Sequence, residues 1–281
     1  KSYKWSDGES VSASDVMFFM NMLHAEKTEW YDYTPNFLPD NVKSVTMSSP
    51  TSLTFTFTGS VDPTWFTYNE FSQVTPFPQA WDVTTAGAAA ASGGCSTGAY
   101  ASASTDAACT QVWTYLTGLA SNPSGYASSP TWSIVDGPYT IAASKGGSFS
   151  TSGQVTMVPN TSYSGPQKAT VTLKQLPFTT DDSEFNALVG GGLDIGYLPQ
   201  QDVTKNTTNA TNPGPNNPRL SGFYLTPWVL YGFNYAVPKL ESTGDSGQAG
   251  AILSQLYFRQ AMQSMVDQPL MISKFLKGYG V

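Results

Sequence analysis

The spacing of apolar residues changes between two periods along the chain, and this change limits the fold more than any other feature. The segment VSASDVMFFMNML carries apolar residues at helical spacing, namely Val16, Phe19, Met20 and Leu23. Ser12 and Asp15 stand at the spacing of a capping box at its start. In VKSVTMSSPTSLTFTFTG, apolar and polar residues instead alternate around a Ser-Pro-Thr turn, which predicts a β-hairpin. A chain with both periods is predicted to fold as a mixed α/β protein.

Further elements are predicted along the rest of the chain. In order, they are a low-complexity insertion from Thr84 to about Cys109, a short helix around CTQVWTYLTGLA, two strands around a glycine-rich turn in GPYTIAASKGGSFSTSGQVTMVPN, a strand in KATVTLKQLPF, a short buried strand LDIGYL and a long aromatic strand SGFYLTPWVLYGFNYAV. Asp181 and Glu184, at capping-box spacing, predict a helix that ends at the glycines of positions 190 to 192.

Both ends of the sequence suggest that the chain belongs to something longer. Near the C-terminus, an apolar face recurs at helical spacing in Leu253, Leu256, Tyr257, Ala261, Met265 and Leu270, and it needs a surface to pack against. Gly278 and Gly280 are typical of a helix end, after which a chain normally continues into another element. The opening residues KSYKWSDGES resemble the end of one element and the approach to the next. We therefore expect an internal piece of a larger protein.

Charge and composition exclude some classes of partner. The net charge is -7, and only 12% of residues are charged, with Ser, Thr, Gly and Asn filling the polar positions. Without a stripe of Lys and Arg to displace counterions, we expect no nucleic-acid partner. The sequence has no run of 18 apolar residues and opens with no signal segment, so an export signal would lie upstream of Lys1.

Cys95 and Cys109 are the only cysteines and lie in one polar, flexible segment. Bonded together, they would close a loop of about 15 residues, worth roughly 3 kcal/mol in the chain-entropy model. The alternative is two free thiols. We predict the disulfide, which would place the protein in an oxidising compartment.

Residues suited to catalysis or metal binding are scarce. His24 is the only histidine, and no nucleophile motif accompanies it, so we interpret it as a surface residue. Asp181 and Asp182 are explained by the start of a helix, and the glycines at 190 to 192 lack the residues of a phosphate loop. We expect no catalytic residue, no metal and no cofactor.

Aromatic clusters are better candidates for binding. Trp30 and Tyr31 follow the first predicted helix, Tyr197 ends a predicted strand, and Trp228 with Tyr231 lies on the long aromatic strand. Each ring could fill the core. Equally, such rings line pockets that hold a flexible ligand without doing chemistry on it.

The order of several short motifs resembles a known family. They are KWSDGESVSASDV, GPY, NTSYSG, ALVGGGLDI, FN and RQAMQSMVD with a GYG close, and this series is similar to that of the family 5 extracellular solute-binding proteins of ABC importers, the peptide/nickel-binding group. The resemblance covers nearly the whole chain. It implies a periplasmic-binding-protein-like fold of type II, in which two lobes close over a ligand.

The resemblance also implies a domain plan. Residues 1–134 would form an accessory α+β subdomain of the first lobe, residues 135–227 its sheet-bearing subdomain, and residues 228–281 the hinge and the truncated start of the second lobe. In this family the helix carrying Arg259, Ala261 and Asp267 opens that second lobe.

The family further implies a function and a ligand wall. A monomer at the cell surface, lipid-anchored through a segment upstream of Lys1, would pass a peptide, a nickel chelate or a sugar to ABC permease subunits. The positions matching the family's ligand contacts are Trp30 or Tyr31, Tyr197, and Trp228 or Tyr231. A secreted hydrolase or a surface-adhesion domain is the alternative, and His24 is the residue that would distinguish a hydrolase.

Overall fold

The computed structural model describes residues 3–196, 252 and 255–275. The chain divides into two compact units, Lys1–Pro177 and Phe178–Val281, which are described separately. The described residues combine helices with antiparallel strands, so the predicted mixture of α and β structure is confirmed. The subdomain boundaries inferred from the family resemblance stay predictions.

The first helix, α1 (Ala13–Ala25), organises the first unit. As predicted, it begins after Ser12, whose backbone N–H donates to Asp15 Oδ2 at 2.7 Å. Two apolar clusters pack on it. The first contains Met17, Phe19, Met20, Leu23, Leu38, Val42, Val45 and Phe66. The second contains Phe18, Met22, Cys95, Cys109, Val112 and Leu116. Because opposite sides of α1 are buried, the helix lies in the middle of the core.

The hairpin predicted after α1 is confirmed. Strands β1 (Val42–Ser49) and β2 (Ser52–Phe57) pair antiparallel around the Pro50–Thr51 turn. The alternation of β2 directs Leu53, Phe55 and Phe57 toward the first cluster. The hairpin thereby covers one side of α1.

Two further helices complete the first half of this unit. Helix α2 (Pro63–Asn69) was not predicted. Helix α3 (Ala103–Ala120) is longer than the helix predicted around positions 109 to 120, because Ser102 caps it by accepting from the N–H of Thr105. Helix α3 packs against α1 and carries one half of the disulfide.

The predicted disulfide is confirmed. Cys95 and Cys109 are bonded, with their Cα atoms 4.6 Å apart and both side chains fully buried. The low-complexity segment before α3 is ordered by Asp82, which is buried and accepts from the backbone N–H groups of Cys95 and Ser96 at 3.1 and 2.8 Å. Gly93 passes so close that an added Cβ would lie 2.4 Å from Asp82 Oδ1.

The second half of the first unit is a small antiparallel sheet. Strand β5 (Val155–Pro159) pairs with β3 (Tyr139–Thr140), β4 (Ser148–Phe149) and β6 (Leu173–Gln175). Two longer strands around one glycine-rich turn were predicted before β6, and this was wrong: there are three short ones. The cause lies at Gly146, which has φ +90°, and Gly147, which presses against the backbone of Ile141 and breaks the run between β3 and β4.

In the second unit, α4 (Asp181–Val189) begins one residue earlier than predicted. Thr180 is its N-cap and accepts from the N–H of Ser183, while Asp181 lies in the first turn and interacts there with the helix dipole. The strand predicted at LDIGYL is wrong for positions 193 to 196, where the chain forms bends, and no strand pairs with it among the described residues.

The C-terminal helical pattern is two helices, α5 (Leu256–Ser264) and α6 (Gln268–Phe275). Pro269 explains the break, since proline is tolerated only in the first turn of a helix, and Asp267 accepts from the N–H of Leu270 at 2.9 Å. Large apolar side chains of these helices are exposed, including Leu256, Tyr257, Met265 and Leu270. In the described part of the chain, no helix is long and apolar enough to cross a membrane.

Candidate functional site

The loop after α1 holds the first predicted binding residues. We call residues 26–41 the aromatic loop. Trp30 is partly buried and packs against the first apolar cluster, and Leu38 of the same loop belongs to that cluster. Tyr31, one residue further on, is 98% exposed. The structure therefore separates the predicted pair: Trp30 anchors the loop, and the ring of Tyr31 is exposed to solvent.

An ion pair fixes the shape of the aromatic loop. Lys27 Nζ lies 2.6 Å from Asp40 Oδ1, and the Tyr33 hydroxyl donates to Asp40 Oδ2 at 2.9 Å. The backbone N–H of Asn36 also donates to Asp40 Oδ2, at 3.2 Å. The hydrogen bond from Lys27 lowers the pKa of Asp40, and the same bond raises the pKa of Lys27, so both groups are charged at neutral pH. These contacts join the two ends of the loop.

Lys27 also lies over an aromatic ring of the same loop. The ammonium group of Lys27 lies 5.5 Å from the centre of the Tyr33 ring, within the distance at which a cation is attracted to an aromatic face. The Tyr33 ring, the Lys27 ammonium group and the Asp40 carboxylate are therefore neighbours, and the charges of Lys27 and Asp40 compensate each other.

Helix α2 presents more aromatic side chains beside the loop. Asp62 caps it by accepting from the N–H of Trp65 at 2.8 Å, and Pro63 takes the first helical position. Phe66 is buried in the first cluster, whereas Trp65 and Tyr68 are 44% and 75% exposed. Being three residues apart, Trp65 and Tyr68 are neighbours on the helix surface.

Two contacts join the aromatic loop to α2. The rings of Phe37 and Trp65 lie 5.5 Å apart, and the Asn41 side-chain amide donates to both oxygens of Glu70 at 2.9 and 3.2 Å. The exposed rings of Trp65 and Tyr68 were not predicted from the sequence as binding residues. The signal available for them was Asp62-Pro63, a helix start, followed by two aromatic residues three positions apart.

The remaining predicted wall residues, Tyr197, Trp228 and Tyr231, lie outside the described residues. Their approach to Trp30 or Tyr31 stays a prediction.

Two cavities occur elsewhere in the first unit. One, of about 130 Å³, has a lining of mixed polarity that includes Ser6, Asp7, Lys145 and Asn160. The other, of about 380 Å³, has a mostly apolar lining that includes Val83, Tyr115, Leu119 and Ile134. Neither includes a residue predicted from the sequence as a binding residue.

His24, which was interpreted from the sequence as a surface residue, is partly exposed and paired with a carboxylate. Its Nδ1 atom lies 2.9 Å from Asp106 Oδ1, each side chain is 33% exposed, and the Tyr100 ring packs edge-on against the imidazole at 5.2 Å. The pair joins α1 to α3. Within the part of the chain that the structure describes, no group of three or more His, Cys, Asp or Glu residues could hold a metal ion.

Comparison with known proteins gives one match. The family model described as "Bacterial extracellular solute-binding proteins, family 5 Middle" matches residues 1–281. Neither a curated protein nor a solved structure matches the chain.

Proposed function

The chain belongs to family 5 of the bacterial extracellular solute-binding proteins, and from this we propose that it captures a peptide-like or other small solute and delivers it to an ABC permease. The family resemblance stated from the sequence is confirmed, and with it the periplasmic-binding-protein-like fold and the extracytoplasmic location. Proteins of this family are generally not enzymes. A monomeric state and a lipid anchor upstream of Lys1 remain parts of the proposal.

The exposed ring of Tyr31 is the observation that carries the proposed binding site. A tyrosine that is 98% exposed would be expected on a mobile tip, yet this one sits between Trp30 and Leu38, both packed into the core, on a loop closed by the Lys27–Asp40 pair. Because the chain on both sides of Tyr31 is anchored, a ligand that packs on the ring need not order the loop as well. We assign Tyr31 to the ligand wall, with Tyr197, Trp228 and Tyr231 as its proposed partners.

The surroundings of His24 support binding rather than hydrolysis. A hydrolase would need a nucleophile within hydrogen-bond reach of its base. Asp106 at Nδ1 of His24 is a partner that a catalytic histidine also has, but among the described residues no serine, threonine or cysteine side chain hydrogen-bonds to His24, and both cysteines are in the disulfide. The disulfide is also consistent with the oxidising compartment in which an extracytoplasmic protein folds.

Calorimetric titration of the 281-residue chain tests the proposal. Solutes would be offered as separate pools of short peptides, nickel chelates and oligosaccharides, and the pool that binds would then be tested against Tyr31→Ala. We expect affinity to fall about tenfold, which corresponds to the loss of one aromatic contact of roughly 1.4 kcal/mol. Tyr3→Ala, which removes another exposed ring, is the matched control and should bind normally. An unchanged affinity in Tyr31→Ala would remove this residue from the site.

A further inference from the structure

The solvent-facing side of the aromatic loop and of α2 combines exposed rings with uncompensated negative charge. We call this the aromatic–acidic surface; its members are Glu29, Tyr31, Asp32, Phe37, Trp65 and Tyr68. All six are exposed. The aromatic loop contains four carboxylates and one lysine, so it carries a net charge of -3.

The charged residues of the aromatic loop differ in whether they have an ion-pair partner. Asp40 is compensated by Lys27, and that lysine also lies over the Tyr33 ring. Glu29 and Asp32 have no ion-pair partner among the described residues, and they flank the fully accessible Tyr31 ring. Tyr31 with Glu29 and Asp32 therefore resembles the group of Lys27, Tyr33 and Asp40, since both have a tyrosine ring and a carboxylate. Only the second group has a cation.

Charge complementarity indicates that a positively charged group would complete this surface. From these contacts we propose that the aromatic–acidic surface binds the positively charged groups of a cationic peptide, one that carries lysine- or arginine-like side chains. An ammonium or guanidinium group is attracted to the face of an aromatic ring, and a neighbouring carboxylate adds direct Coulomb attraction. Trp65 on α2 contacts Phe37 of the same loop, and Tyr68 is exposed beside it on the helix, so further ring faces are available to a peptide. The inference rests on the proposed solute-binding function, because it names the class of solute for the same site.

The negative charge of the surface cannot be relieved from within the loop. Lys27 is held by Asp40 and Tyr33, and the hydrogen bond from Lys27 lowers the pKa of Asp40, so this pair stays closed at neutral pH. The loop has no second lysine or arginine, so a cation at this surface comes from outside the loop, and in our proposal from the solute. Exposed charges are screened by salt, so the attraction should weaken as ionic strength rises.

Three tripeptides of similar size serve as probes: trilysine, trialanine and triglutamate. Their affinities for the 281-residue chain would be measured by calorimetry in low and in physiological salt. We expect trilysine to bind about tenfold tighter than trialanine in low salt, and triglutamate to bind weakest. The advantage of trilysine should fall by several-fold in physiological salt.

Substitutions test which residues cause the tighter binding of trilysine. Glu29→Gln combined with Asp32→Asn should remove most of the advantage of trilysine over trialanine, since the two changes remove both charges and nearly preserve side-chain size. Asp136→Asn, a change of an exposed carboxylate elsewhere, is the charge control. Tyr31→Leu should weaken trilysine binding further, and Tyr3→Leu is its control. Far-UV circular dichroism would show that each variant is folded.

Five outcomes decide between these possibilities. Equal binding of the three peptides, binding of none of them, or an advantage of trilysine that survives in the Glu29 and Asp32 variant would each overturn the inference. If trialanine binding depends on Tyr31 while trilysine has no advantage, the proposed function stands and the inference about charge falls. If the advantage depends on Glu29 and Asp32 but Tyr197→Leu and Trp228→Leu bind trilysine normally, the inference holds and the proposed second part of the ligand wall is wrong.

Discussion

At the scale of single residues, Asp15 shows how one side chain can both start a helix and hold distant segments to it. Its carboxylate is fully buried and accepts from the backbone of Ser12, from Trp5 Nε1 at 3.1 Å and from Gln79 Nε2 at 3.2 Å. The capping-box spacing predicted the first contact. The other two donors come from elsewhere in the sequence, so no local pattern could have indicated them.

The buried carboxylate gives a prediction with a definite sign. Burial raises the pKa of Asp15 above its ordinary value of 3.8, although the three hydrogen bonds oppose this. Between the two pKa values the folded chain holds a proton that the unfolded chain has released. The stabilising effect of that proton is therefore complete below pH 3.8 and is lost as pH rises through the folded pKa.

Asp15→Asn removes this titration. The variant should be less stable than the parent by about 1–3 kcal/mol, because an amide offers one acceptor oxygen to three donors. Urea unfolding from pH 7 to pH 4 should show the stability gap between parent and variant growing as the pH falls. Asp136→Asn controls for the loss of one charge. A gap that shrinks toward pH 4 would contradict the assignment.

At the scale of elements, local periodicity predicted the structures that are stabilised by their own pattern. Helix α1 and the β1–β2 hairpin were predicted because Val16, Phe19 and Met20 repeat at helical spacing and Leu53 and Phe55 at strand spacing. Strands β3 and β4 each have two residues, too few for any period to be visible. Helix α2 was missed because its seven residues carry one buried side chain, Phe66.

Replacing glycine by alanine should have opposite effects on stability at Gly147 and at Gly118. An added Cβ at Gly147 would lie 2.4 to 2.7 Å from the backbone of Ile141, which cannot move aside as a side chain could. Gly147→Ala should therefore lower the free energy of unfolding by about 1–3 kcal/mol. Gly118 lies on α3 with open space around it, so Gly118→Ala should raise this free energy by about 0.5–1 kcal/mol. Urea unfolding would measure both, and a loss of stability in Gly118→Ala would show that α3 is constrained there.

The disulfide gives a third prediction at this scale. Cys95 lies in the segment before α3 and Cys109 within it, with a sequence separation of 14. Replacing both by alanine should cost about 3 kcal/mol in the free energy of unfolding, since the unfolded chain regains the freedom that the bond removes. Because both residues are fully buried, the bond should resist reductant until the chain unfolds. The reduced parent protein should unfold at the urea concentration of the double variant; a clear difference would point to lost packing instead.

At the scale of the whole molecule, the sequence predicted the family and one accessible part of the candidate site. Motif order identified the family, because short motifs can be recognised in a sequence without any knowledge of which residues are in contact. The separate roles of Trp30 and Tyr31 could not be predicted, since adjacent aromatic residues look alike until the core that buries one of them is known. The same holds for Trp65, whose place beside Phe37 depends on how α2 packs.

The last prediction concerns the first unit as a folding unit. Both apolar clusters, with the partly buried residues packed on them, come from positions between 16 and 132, and the sheet around β5 ends at Gln175. A chain of residues 1–177 therefore contains the whole of this core and should fold by itself in one cooperative transition. Trp81 and Trp132 report on it, since their rings meet edge-to-face at 5.1 Å and should give a near-ultraviolet circular dichroism signal.

Urea unfolding of residues 1–177, followed by that signal, should match the same transition in the 281-residue chain. Phe18→Ala provides the reference for a damaged core, because it removes a fully buried ring and should cost about 3–5 kcal/mol. If residues 1–177 give a gradual transition or lack the tryptophan signal, part of the stabilising contacts must come from outside this unit. A sharp transition at the parental midpoint would show that the aromatic loop and α2 keep their support without the rest of the chain.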